Sequence, residues 1–92
     1  MLGLPTSKVN YQLSGVMLAE EEPVSQIAPG DDLSVTLLSQ NGHPAKENVT
    51  VLENGASFSG FTYSEETGFL VVDGASIGSG KTYTVKATAP SK

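Results

Sequence analysis

The sequence predicts an all-β protein built as one antiparallel β-sandwich of about seven strands, and three observations carry that expectation. Apolar residues recur with a period of two rather than the helical repeat along most of the chain, as they do where alternate side chains of a strand face a core. The residues between these runs are dense in Gly, Asn, Asp and Pro, the types that make tight reversals. A chain of 92 residues supports one core and not two, because at this length only about two thirds of the unfolded surface is buried on folding.

Taken in order, Val9, Tyr11 and Leu13 alternate with Asn10 and Gln12 as a first half-buried strand. Leu33, Val35 and Leu37 alternate with Ser34 and Thr36, and Val49 and Val51 flank Thr50. Phe61 and Tyr63 stand two apart and so share a face, which points to core filling. Phe69-Leu70-Val71-Val72 is a short, fully apolar run. Tyr83, Val85, Ala87 and Ala89 then alternate with Thr84, Lys86 and Thr88 to close the chain. The apolar phase sends Val35, Leu37, Val51, Tyr83 and Val85 inward. No window supports a long amphipathic helix.

Between the runs lie Pro29-Gly30, Asn41-Gly42, Asn54-Gly55, Asp73-Gly74 and Glu65-Glu66-Thr67-Gly68. Gly, Asn and Asp tolerate positive φ and Pro presets φ, so each of these reads as a turn. The ten glycines and five prolines fall between periodic segments rather than in one tract, which makes them turns and not low complexity. There is no internal repeat. Short strands at this spacing point to a sandwich of the immunoglobulin type over residues 9–92, preceded by an arm over residues 1–8. A five-stranded oligonucleotide-binding barrel is the competitor, but it calls for an interstrand helix and a basic, aromatic face that the sequence lacks. With no Cys and no Trp, any likeness is to branches without the interstrand disulfide and its packed indole.

A family resemblance rests on four stretches. They are Ile27-Ala28-Pro29-Gly30-Asp31-Asp32-Leu33-Ser34-Val35-Thr36-Leu37, Asn41-Gly42-His43-Pro44-Ala45, Asn48-Val49-Thr50-Val51, and Gly80-Lys81-Thr82-Tyr83-Thr84-Val85-Lys86-Ala87-Thr88-Ala89. Together they resemble the bacterial immunoglobulin-like domains of invasin and intimin stalks, with a Pro-Gly-Asp lead, an Asn-Gly-x-Pro turn and a closing Gly-x-Tyr-x-Val-x-Ala-Thr strand. Similar modules recur in tailed-phage virion proteins. The resemblance covers residues 27–89 and consists of turn and strand chemistry, so it speaks to fold and not to ligand. Residues 1–26 lie outside it and form either a first strand or an arm docked on another chain.

Composition excludes several functions. Five lysines and no arginine stand against ten acids, a net charge of −5, so no surface is expected to release phosphate counterions and nucleic acid is not a partner. No apolar run is long enough to cross a bilayer, so no membrane insertion is expected. The absence of cysteine removes a disulfide framework, a thiolate metal site and a cysteine nucleophile together.

The remaining chemical motifs read as structure. Ala75-Ser76-Ile77-Gly78-Ser79-Gly80-Lys81-Thr82 looks like a phosphate-binding loop, but Ala75 stands where its first glycine belongs and the segment after Lys81 alternates as a strand. His43 is the single histidine and sits in a turn, with no partner for a triad or a His-rich metal site, so it is expected to be solvated. Glu20-Glu21-Glu22, Asp31-Asp32 and Glu65-Glu66 lack the spacing of a calcium loop and read as solvated charges. Asn48-Val49-Thr50 fits a glycosylation acceptor and reads as the start of a strand. Phe58, Phe61, Tyr63 and Phe69 read as core rather than as a sugar platform.

No catalytic set, cofactor or metal is therefore expected. The expectation is a non-enzymatic structural or binding module, a decoration or accessory protein on a tailed-bacteriophage virion whose partners are capsid or other virion proteins. The chain begins at Met1 without a signal segment, which suits a part made and used without export. The alternatives are one module of a bacterial cell-surface adhesin stalk facing a receptor, with Met1 added to it, or a carbohydrate-binding module facing a glycan. The expected attachment residues are Leu2, Leu4 and Pro5, apolar positions ahead of the first patterned strand that could anchor an extended arm on a neighbour.

Overall fold

The computed structural model describes residues 5–40 and 42–90. Among them are nine strands and two single 3₁₀ turns, with no α-helix: β1 (Ser7–Ser14), β2 (Met17–Leu18), β3 (Gln26–Ile27), β4 (Leu33–Leu38), β5 (Val49–Glu53), β6 (Ala56–Phe58), β7 (Phe61–Ser64), β8 (Phe69–Val72) and β9 (Thr82–Thr88). The excess over seven includes β2 and β3, which at two residues each are too short to leave a period in the sequence.

Sheet I has the order β3-β1-β9-β5-β6 and sheet II the order β2-β4-β8-β7. Their facing sides form one core, Val9, Val49, Val51, Tyr83, Val85 and Ala87 from sheet I meeting Leu33, Val35, Leu37, Leu70 and Val72 from sheet II. The five residues assigned inward from the sequence are all fully buried. The result is an all-β, two-layer sandwich.

One pairing departs from the antiparallel expectation. β1 runs parallel to β9 over seven positions, from Lys8 opposite Thr82 to Ser14 opposite Thr88. Parallel neighbours need a long connection. Here the whole intervening domain is that connection, so the geometry adds no loop of its own. Ser7 anchors the start of β1: its buried hydroxyl donates to the Gly78 carbonyl at 2.6 Å and accepts from the Lys81 N–H at 3.0 Å.

The turns show which dipeptides do what. Asn54 and Gly55 both have positive φ, 53° and 86°, and close the β5–β6 hairpin as a two-residue turn whose twist matches the strands. At Pro29-Gly30 the Asp31 N–H reaches the Ala28 carbonyl at 3.1 Å with Gly30 at φ 92°, the arrangement a type II turn uses. Asp73-Gly74 differs from the expected reversal with positive φ. Asp73 instead caps a 3₁₀ turn, accepting from the Ala75 N–H at 3.1 Å, and Gly74 is buried where any Cβ would run into the Gly30 carbonyl. Of the Asn41-Gly42 turn, Asn41 lies outside the described residues, and Gly42 has φ 106°.

Candidate functional site

The two outer faces of the sandwich differ in chemistry. On sheet I the outward phase of β1 and β9 is Lys8, Asn10, Gln12, Ser14, Thr84, Lys86 and Thr88, and β5 adds Thr50 and Leu52. Apart from Thr84, which its neighbours bury, that is an ordinary solvated face. On sheet II the outward phase follows from the register: Met17 pairs with Leu38, Thr36 with Phe69, Ser34 with Val71, Thr62 with Val71 and Ser64 with Phe69. None of these eight residues is ionisable.

Four of them form a continuous apolar stripe. Met17 and Leu38 are direct neighbours across β2 and β4. Leu38 is diagonal to Phe69, which stands opposite Thr36, and Phe69 and Val71 are two apart on β8, within reach of one another. Met17 is 64% and Phe69 46% exposed, the two large hydrophobic residues left in solvent among those described, and Leu38 and Val71 are half-buried. Met17 also borders an open groove with Gly15, Val16, Ser39, Gln40 and Ala89. Asp32 and Asp73 lie beyond Ser34 and Val71 at one end of the stripe, and Glu65 and Glu66 follow Ser64 at the end of β7, to its side.

At the free side of β4, where β2 stops, sheet pairing continues through a side chain. The Ala19 N–H donates to the Thr36 carbonyl at 3.0 Å, and both Glu20 carboxylate oxygens accept from the Thr36 N–H at 3.2 Å. A carboxylate on an edge strand blunts pairing along that edge.

Compared with known proteins, the chain matches no family model, no curated protein sequence and no solved structure.

The chemical motifs of the sequence occupy structural places. In the Gly-Lys-Thr segment most backbone donors are already engaged: Ala75 and Ser76 N–H by Asp73, Ile77 N–H by the Gly74 carbonyl, Gly78 N–H by the Tyr83 hydroxyl, Lys81 N–H by Ser7 and Thr82 N–H by Asn54. A phosphate-cradling loop needs those groups free. The Lys81 ammonium stands 3.9 Å from Glu53. His43 is half-buried rather than solvated, its Nδ1 donating to the Leu37 carbonyl at 2.9 Å beneath Gly68, where the β4–β5 connection is pinned to the sheet. Glu65 accepts from the Lys46 N–H at 2.8 Å. No group of three or more His, Cys, Asp or Glu able to hold a metal ion occurs among the described residues.

Of the aromatic residues, Phe58, Phe61 and Tyr63 pack against the core, and the Phe58 ring meets Tyr83 edge-on at 5.4 Å. Tyr63 also donates to the Pro44 carbonyl at 2.7 Å. Phe69 alone of the four turns outward. Of the expected attachment residues, Pro5 is exposed ahead of β1, and Leu2 and Leu4 lie outside the described residues.

Met17, Leu38, Phe69 and Val71 are not among the residues expected to bind. Their signal in the sequence is a break in alternation. Met17-Leu18, Leu37-Leu38, Phe69-Leu70 and Val71-Val72 each place two apolar residues side by side, and in a strand one of each pair must face away from the core.

Proposed function

We propose that the protein is a non-enzymatic, immunoglobulin-like binding module whose outer sheet II face makes its contact with a larger protein assembly. The observation that carries this reading is the uncharged stripe Met17–Leu38–Phe69–Val71, with carboxylates beyond its Val71 end and at the end of β7. Contiguous apolar surface with a polar rim marks interaction sites on otherwise soluble domains. The neutral face offers nothing to a phosphate backbone, and a lone ring at Phe69 makes a poor sugar platform.

The strand order supports the immunoglobulin-like part of the reading. β2-β4-β8-β7 follows the A-B-E-D order of that architecture and β9-β5-β6 follows F-C-C′. β1 occupies the seat beside β9 that the last strand takes in antibody domains, but runs parallel to it. The proposed setting, a tailed-phage virion, rests on the sequence resemblance over residues 27–89.

The test is co-sedimentation with the candidate virion. Wild-type chain is expected to travel with the particle and Phe69→Lys to stay behind, with both folded to the same melting temperature within a few degrees. Equal co-sedimentation of the two would remove the sheet II face from the attachment.

A further inference from the structure

We infer that the parallel β1–β9 ladder makes this domain a force-bearing link, resisting tension drawn between its two ends, with Ser7 as the latch at the loaded end of β1. The inference concerns sheet I and is independent of what the outer face of sheet II binds.

Strand direction decides how load reaches the ladder. The chain enters β1 at Ser7 and leaves β9 at Thr88. Because the two strands run parallel, these points stand at opposite ends of one ladder, with Lys8 opposite Thr82 at one end and Ser14 opposite Thr88 at the other. Tension between them pulls β1 back along its own axis and β9 forward along its own. The strands can part only by sliding, and sliding loads all seven paired positions together. Had β1 run antiparallel to β9, both loaded points would lie at one end and the pairs would open one at a time.

Three observations oppose sliding. Backbone bonds close the ladder at both ends, the Lys8 N–H donating to the Lys81 carbonyl at 2.8 Å and the Ala89 N–H to the Ser14 carbonyl at 2.9 Å. Side-chain phase opposes it too. Val9 is buried, and moving β1 by one residue would turn Lys8 or Asn10 into the core. Ser7 adds a side-chain bridge outside the ladder. Its fully buried hydroxyl donates to the Gly78 carbonyl and accepts from the Lys81 N–H, both in the segment that leads into β9. Drawing β1 toward its N-terminal end breaks both bonds at once and leaves buried polar groups unpaired. On its other side β1 pairs with β3 at only two positions, so the ladder with β9 carries the load.

Single-molecule pulling of the full chain tests this. The chain has no cysteine, so handles attach only where a pair is introduced. Lys8→Cys with Thr88→Cys loads the ladder from opposite ends, and Ser14→Cys with Thr88→Cys loads it from one end; all three positions are exposed. Forced unfolding reads the barrier to opening rather than the equilibrium stability. The first pair of handles is expected to need a rupture force at least about twofold that of the second, because the paired positions break together rather than in turn. Ser7→Ala should lower the force for the first pair alone, since peeling from the Ser14 end opens the far positions before Ser7 is reached. Equal forces for the two pairs of handles overturn the inference, and that comparison stands whether or not Ser7→Ala folds. If Ser7→Ala lowers both forces in the same proportion, or neither, Ser7 is not the latch.

Discussion

The Tyr83 hydroxyl, in the middle of the core, accepts from the Gly78 N–H and donates to Glu53, each at 2.8 Å. It joins the loop before β9 to the end of β5, and β9 carries it there because Tyr83 holds the inward phase of the chain's longest alternation. Tyr83→Phe leaves both partners without it, and is expected to destabilise by about 1–3 kcal/mol, read from urea unfolding at unchanged m. Gly74→Ala acts through space rather than torsion. Its methyl meets the Gly30 carbonyl, so it should destabilise by about 1–3 kcal/mol, whereas Gly80→Ala, in open space but at φ 65°, tests backbone strain alone. The Tyr11 hydroxyl donates to the Val24 carbonyl at 2.7 Å, and burial, with the Glu20 carboxylate adding to it, pushes its pKa up to about 12. Burial also raises Tyr63 and Tyr83. A phenol raised in the folded state gives stability that is complete below its unfolded value near 10 and is lost as pH climbs toward the folded value. Unfolding free energy should thus fall between about pH 10 and 12, and Tyr11→Phe should flatten part of that slope; an unchanged slope would contradict the assignment.

At the level of strands, the side-chain phase is the testable quantity, because a slip of one residue exchanges core and solvent faces. Val35→Ala is expected to destabilise by roughly 1–4 kcal/mol through lost burial and the cavity left behind, and Ser34→Ala to stay within about 0.5 kcal/mol. The reverse pattern would mean β4 is turned over. This phase was legible in the sequence, since β4, β5 and β9 alternate cleanly and their inward residues are the buried ones. The Asn54-Gly55 hairpin was legible for the same kind of reason, as few other dipeptides accept two positive φ values. The parallel union of β1 with β9 was not, because periodicity within a strand says nothing about its neighbour's direction. Nor were β2 and β3, whose two residues each are held by register against β4 and β1 rather than by any pattern of their own.

For the molecule as a whole, the proposed binding role rests on the asymmetry of the two outer faces. Sheet I presents Lys, Asn, Gln and Thr, while sheet II presents a neutral apolar stripe. The sequence hinted at this where apolar residues stand in pairs, yet such a pair reads equally as a strand covered on both sides. Only the sheet order, which leaves β8 and β4 with nothing over their outer side, turns Phe69 and Leu38 into surface. The decisive measurement is the change in amide chemical shifts of the labelled full chain as protein from the dissociated candidate virion is added. Shifts are expected to gather on Met17, Leu38, Phe69 and Val71 and their neighbours Thr36 and Thr62, with Lys8, Asn10, Gln12 and Lys86 unmoved. Shifts centred on sheet I, or none at all up to about 1 mM, would contradict the proposed role.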